Sequence, residues 1–376
     1  MSHKGSGIGA APTTLRGRAG RRVSRRGSRL VRWPAVALLA VGGCRSIGPS
    51  TVSRDRVDYS TAVAESWKRQ ALLNIVKVRY MDTPIFVDVG QIVSGYSLET
   101  GLSAAAAGFP YANTDQLQVQ GSTKFTDRPT ITYVPLTGNR FIAGLMTPIT
   151  PDALFSAIQS GWPADVLLGM VVGSINGLKN ADFSLGGRGA ADEKFARACT
   201  LMRQVQASGA LSFRVQRGKA GEQASLLMFR PEGLSPESAE QRRELGTLLG
   251  LEPGVKEYRL VYGAVAADGK EVAVLTRSLL HVMAVMAIRA EVPAADVRDG
   301  RAAPRPAGAA DERPLIRCSA EQPRDASVAV RYRGHWFWID DRDVLAKREF
   351  AFIMLLFTMA DTGSERGMPL LTIPTQ

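Results

Sequence analysis

An α+β fold, antiparallel sheets packed with helices, is what this sequence predicts, and three observations predict it. Residues 191–295 repeat a pattern of one amphipathic helix followed by two short alternating strands. Residues 85–136 alternate apolar and polar side chains with period two, directly after a helical pattern over 60–80. Composition is that of a folded chain, 45% hydrophobic and 22% charged, rather than of a disordered one.

The N-terminal α+β region, 59–180, opens with the helix. Val63, Trp67, Leu72, Ile75, Val76 and Tyr80 fall near one face, while Lys68, Arg69, Lys77 and Arg79 coat the rest. Pro84 stops it. Ile85 to Leu98 reads as one strand with a bulge at Gly90, and Ala104 to Pro110 as a small-residue loop. Gln116 to Phe125 and Pro129 to Leu136 are further strands, with Asp127-Arg128-Pro129 as a turn, which together make an antiparallel meander. Short helices over 138–146, 151–160 and 163–176 follow, punctuated by Pro148, Pro151, Gly161 and Pro163. The glycine-rich stretch 182–191 lacks the Lys-Ser/Thr ending of a phosphate loop and reads as a plain loop.

The central helix/hairpin region, 191–295, contains a helix over 193–207 and a hairpin over 210–216 and 224–229, turning at Arg217-Gly218-Lys219. A helix over 235–249 is opened by Ser235 as N-cap and Pro236 at the first position. A second hairpin is expected over 255–262 and 271–275 across Asp268-Gly269, then a helix over 277–290, apolar on most faces and carrying His281. Residues 296–314, rich in Ala, Pro, Arg and Gly, read as a flexible linker or loop. The C-terminal part, 315–376, reads as strands at 315–318, 327–333 and 335–339, a tight turn at Arg333-Gly334, an apolar helix to Ala360, and a closing strand at 370–373.

The first 43 residues follow another grammar. Eight arginines between Arg16 and Arg32 precede the apolar run Trp33 to Val41, then Gly42-Gly43-Cys44. That run is far short of the roughly 20 residues a membrane-spanning helix needs. In its order the segment resembles a bacterial lipoprotein signal peptide, with Val41, Gly42, Gly43 and Cys44 at the four lipobox positions. The resemblance implies removal of residues 1–43, lipidation of Cys44, a tether over 44–58, and contact with the membrane through the lipid. Arg45, where inner-membrane lipoproteins tend to carry Asp, implies the outer membrane, facing the periplasm. The stretches Leu72 to Tyr80, Ile92 to Thr100, Asp127 to Tyr133 and His335 to Asp341 are similar to parts of uncharacterised bacterial lipoproteins, which brings no activity with it.

Charge separates function classes. The formal charge of +12 invites nucleic acid as a partner, but Lys4 and the eight arginines supply nine of those charges, and without them +3 remains. Nucleic acid is therefore not expected. With the leader gone Cys199 and Cys318 are the only cysteines besides Cys44, a possible disulfide in an oxidising compartment or else two buried thiols. No metal or cofactor pattern is present, and no G-x-S-x-G, S-x-x-K or H-E-x-x-H motif. The densest chemical cluster is His335, Trp336, Trp338, Asp340, Asp341 and Asp343. It suits a general base with a carboxylate and two tryptophans for a glycan or peptide. It suits equally a strand with alternating faces whose acids cap the next helix. The expectation is a lipid-anchored envelope protein with a structural, assembly or partner-binding role. Its alternative is an envelope-bound hydrolase of glycan or peptide with Trp336 to Asp343 in its cleft.

Overall fold

A computed structural model describes residues 47–107, 116–137, 139–181, 191–217, 223–230, 233–305 and 313–360. Cys44, the signal segment, most of the glycine-rich loop, the Gly218-Lys219 turn and the closing strand lie outside them. The chain divides into Met1–Ser53 and Arg54–Gln376, and the architecture below is that of the second unit.

The fold is α+β. Helix α1 (Ile47–Arg79) begins well before Ser60, so residues 47–58, expected as an irregular tether, are helical. Its C-terminal half buries Ala71, Leu72, Ile75 and Val76, the face the periodicity predicted. The strand expected over 85–98 is two, β1 (Phe86–Val93) and β2 (Tyr96–Ala107), because the chain breaks pairing at Ser94-Gly95. With β3 (Gln116–Asp127) and β4 (Thr130–Leu136) they form no meander, and the expected loop at Ala104 is strand as far as Ala107. β1 pairs β4 and β2 pairs β3, both antiparallel. The two ladders run on from one another past Gly95, whose carbonyl accepts from Arg128 N–H at 2.9 Å. The product is one long two-stranded ribbon. Gly90 sits at the bulge expected of it, between Val89 and Gln91, where a Cβ would meet Val134 Cγ2 at 2.8 Å.

Two amides root the ribbon on α1. Gln70 exchanges hydrogen bonds with Val87 N–H and C=O, both at 2.8 Å, and Asn74 does the same with Ile85 at 3.0 and 2.8 Å. One helical turn apart, they satisfy the edge of the incoming strand as a neighbouring strand would.

Helices α2 (Asn139–Met146), α3 (Pro151–Gln159) and α4 (Ala164–Val171) lead into a six-stranded sheet. Its strands are β5 (Val172–Ile175), β6 (Leu178–Lys179), β7 (Leu211–Arg217), β8 (Gln223–Phe229), β9 (Glu257–Tyr262) and β10 (Glu271–Thr276), in the order β6-β5-β10-β9-β8-β7. The helix expected to run to Asn176 ends at Val171, since Asn176 and Gly177 take positive φ (44° and 82°) and turn the β5–β6 hairpin. β7 and β8 pair as expected. β9 and β10 do not form a hairpin: they run parallel. Residues 263–270 carry the chain back to the start of β9, where Glu252 N–H donates to Gly269 C=O and Arg259 N–H to Lys270 C=O.

Helices α5 (Glu193–Ala207), α6 (Pro236–Leu248) and α7 (Leu279–Ile288) pack with the sheet. Ser235 caps α6 through Ser238 N–H at 3.1 Å. α7 is apolar around most of its circumference and correspondingly buried. Helix α8 (Ala294–Arg298) replaces the start of the expected linker, with Asp296 and Ala302 buried. The C-terminal part is a three-stranded sheet, β11-β13-β12, of β11 (Arg317–Ser319), β12 (Ala326–Tyr332) and β13 (His335–Asp340), backed by α9 (Val344–Ala360). Arg333-Gly334 makes the tight turn, both with positive φ. One continuous core takes in α1, the large sheet, α7, β13 and α9, so residues 296–305 do not separate domains.

Candidate functional site

On β13 the side chains alternate as a half-buried strand requires. Phe337 and Ile339 are fully buried, whereas Trp336 and Trp338 on the opposite face are half-buried. The Arg317 guanidinium lies over the Trp338 ring at 5.4 Å, so that ring is already covered. His335 has Nδ1 3.3 Å from Arg333 C=O at the turn, at the far end of the strand from the three acids.

Those acids are each engaged. Asp340 accepts from Arg342 N–H at 3.0 Å and lies 3.4 Å from Arg317. That backbone bond, then the nearby guanidiniums, hold its carboxyl below the usual carboxylate range. Asp341 pairs with Lys347 at 2.8 Å. Asp343 is buried and caps α9, accepting from Ala346 N–H at 3.1 Å while Arg313 approaches at 2.9 Å. The cluster that looked catalytic is a strand and a capped helix start. Its histidine and acids do not converge.

Cys199 and Cys318 are both free thiols, so of the two readings the possible disulfide is the one not formed. Cys199 is buried on α5 and Cys318 sits on β11 beside β13, so each is packed into a different element. Burial pushes the Cys199 thiol up to about 12 and the Cys318 thiol up to about 11, leaving both protonated and poor nucleophiles.

A second constellation escapes sequence reading. Tyr80, at the end of α1, donates to Asp296 at 2.7 Å, and Arg301 pairs with the same carboxylate at 3.1 Å. Tyr332 donates to Asp82, and the Arg333 guanidinium lies over both Tyr80 (5.1 Å) and Tyr332 (5.6 Å). Burial and the bond to Asp296 raise the Tyr80 hydroxyl far above the ordinary phenol range. Asp296 is held low, first by Tyr80 and then by Arg301. A phenol kept neutral and a carboxylate fully paired form a latch rather than an acid–base couple. Only the apolar face containing Tyr80 was visible in the sequence. Its partners lie 216 and 252 residues away, by Asp296 and Tyr332 respectively.

The concave surfaces differ in kind. A groove of about 900 Å³ runs between α1, β13 and α9, floored by Trp67, Ile339, Val344, Phe350, Met354 and Leu355. Lys68, Lys347 and Arg348 line it too, and no carboxylate does. Lys68 is paired with Glu65 and Lys347 with Asp341. A smaller cleft of about 370 Å³ does contain two carboxylates, Asp165 and Glu349, beside Cys199. Arg203 lies 4.0 Å from Asp165, and Arg289 pairs with Glu349 at 2.5 Å. Neither His335 nor any acid of the 340–343 run opens into these two cavities.

Among the described residues no group of three or more His, Cys, Asp or Glu side chains is placed to hold a metal ion. No helix there is long and apolar enough to cross a membrane. No family model, curated protein or solved structure matches this chain.

Proposed function

We propose that the chain is a lipid-anchored component of the bacterial envelope, held through Cys44 at the outer membrane and facing the periplasm. There it binds a protein partner through the apolar groove between α1 and α9. The observation that carries the binding role is that groove: a wide, concave, apolar floor free of carboxylates. Binding an apolar segment of a partner needs nothing that the groove lacks, whereas hydrolysis needs an unpaired acid or base beside a cleft. The paired states of Asp340, Asp341 and Asp343 support binding over catalysis. The order of arginines, apolar run and Gly42-Gly43-Cys44 supports the anchor, and the near-neutral charge beyond it argues against nucleic acid as partner.

The test uses a photo-crosslinker placed at Leu355 in the groove, with Val265, 73% exposed and outside it, as control. In cells expressing the full chain, position 355 should give a discrete protein adduct in the envelope fraction and position 265 should not. Adducts at neither position, together with turnover of a glycan or peptide substrate, would overturn the reading. The anchor is read separately, by loss of labelled palmitate in Cys44→Ser.

A further inference from the structure

β2 and β3 pair over twelve residues each, from Tyr96↔Asp127 to Ala107↔Gln116, and among the described residues neither strand has a second neighbour. Alternate cross-strand pairs belong to opposite faces. By register one face takes positions Leu98↔Phe125, Thr100↔Thr123, Leu102↔Gly121, Ala104↔Val119 and Ala106↔Leu117, a stretch without a charged residue, and below it the pair Tyr96↔Asp127 puts one carboxylate at the root of the ribbon. The other face takes Glu99↔Lys124 and Ser103↔Gln120. Phe125 is 50% exposed and stacks on Tyr96 at 5.9 Å, which puts two aromatic rings at the base of the apolar face.

This is an odd object for water. A two-stranded ribbon is marginally stable alone, and its two long edges present unpaired N–H and C=O groups with no proline to blunt them. It is the pattern of a bilayer-spanning hairpin. Nine residues per strand, 98–106 against 117–125, extend about 30 Å, and at a tilt of about 40° they span about 23 Å, matching the roughly 25 Å apolar band of outer-membrane barrels. A lone ribbon cannot stay in lipid, because both edges would leave backbone groups unpaired; only closure satisfies them. The chain offers one edge of each strand, so the neighbour that fits is another copy, β2 of one against β3 of the next, a head-to-tail contact that repeats until it closes.

We propose that the β2–β3 ribbon is one copy's share of a transmembrane β-barrel built from several copies of this chain. Two strands per copy always give an even count, and the smallest such barrels have about eight strands, which sets a minimum of about four copies. The Leu98 face meets lipid and the Glu99 face lines a polar lumen. The proposal rests on the envelope location argued above and adds an assembly state and a pore to it.

The experiment uses the full chain expressed in a Gram-negative host and extracted in detergent. Its mass is measured by light scattering, and its conductance in planar bilayers of phosphatidylethanolamine and phosphatidylglycerol. Wild type should be an oligomer of at least four copies and should conduct. Leu102→Arg, on the lipid face, should reduce recovered oligomer tenfold or more. Ser103→Arg, one residue away on the lumen face, should assemble and shift selectivity toward anions. Thermal unfolding of the body, unchanged in both variants, separates lost assembly from lost folding. A palmitate-labelled wild type that stays monomeric and silent overturns the barrel while leaving the anchored, partner-binding reading intact. Equal effects of the two arginines also overturn it. A conducting oligomer without palmitate supports the barrel and removes the Cys44 anchor instead.

Discussion

Asn176 is the residue whose replacement tests the fold most sharply. It occupies the first central position of the β5–β6 turn with φ of 44°, and its amide reaches three backbone groups of other elements. Nδ2 donates to Leu249 C=O at 2.7 Å, after α6, and to Glu271 C=O at 3.1 Å on β10, while Oδ1 accepts from Ala273 N–H at 2.6 Å. Asn176→Gly keeps the left-handed backbone and deletes all three bonds. At about 1 kcal/mol net each, the loss is about 3 kcal/mol, to which glycine's freedom in the unfolded chain adds less than about 1. Asn176→Ala deletes the same bonds and adds about 1 kcal/mol of left-handed strain. For a unit of about 320 residues, with an unfolding entropy near 2.1 cal/mol/K per residue, 3 kcal/mol lowers Tm by about 4 to 5 °C. Urea unfolding followed by tryptophan fluorescence, with calorimetry for Tm, measures both. A glycine variant within about 1 kcal/mol of wild type would refute the assignment of stability to this amide.

Three further outcomes are expected. Asp343→Ala should cost about 1 to 2 kcal/mol in urea unfolding, because it removes the cap of α9; Arg313→Ala should cost much less, its side chain being 60% exposed. Tyr80→Phe should flatten the acid dependence of stability. A carboxyl held low in the fold stabilises above its unfolded value and loses that contribution as pH falls, and Tyr80 is the largest cause of the lowering at Asp296. Urea midpoints at pH 7 and pH 3 should therefore differ less in the variant, and an unchanged difference counts against the latch. Native protein at pH 8 should react with a thiol disulfide reagent far more slowly than urea-unfolded protein. Because both thiols are raised in the fold, stability should fall as pH climbs past the unfolded thiol value near 9 toward 11, which unfolding at pH 8 and pH 10 will read.

What the sequence revealed was local. Period two over 85–136 placed strands, Gly90 marked its bulge, Ser235-Pro236 opened its helix, and Arg333-Gly334 turned its hairpin. Each of these signals lies within a few residues of its effect. The misreadings share a cause of the opposite kind. The apolar run before Asn176 suits a buried helix and a buried strand alike, and it is the Asn176-Gly177 turn that ends the helix at Val171 and makes the rest a strand. The Ala-, Pro- and Arg-rich run after 296 has linker composition, yet Tyr80 from α1 pins Asp296, and Arg79 donates to Ala303 C=O at 2.6 Å. Parallel pairing of β9 with β10 is set by where residues 263–270 run, which no periodicity records. The candidate site fared alike: the pattern at 335–343 named strand and cap correctly as one of two readings, while the groove is built from α1 and α9, nearly 300 residues apart in the chain.

Helix α1 does two jobs at once, and this decides where a perturbation is informative. Ala64, Trp67 and Lys68 line the groove, while Gln70 and Asn74, one turn further on, hold β1 by its backbone. Asn74 is fully buried, so its removal strands Ile85 N–H and C=O at a cost of about 1 to 3 kcal/mol and loosens the helix that floors the groove. A change at the ribbon's root therefore alters partner binding and ribbon placement together, and a lost activity there assigns nothing. Leu102 and Ser103 lie beyond the Gly95 break, on a ladder that pairs only with itself among the described residues. Differences between them report on what surrounds the ribbon, and on nothing in the body.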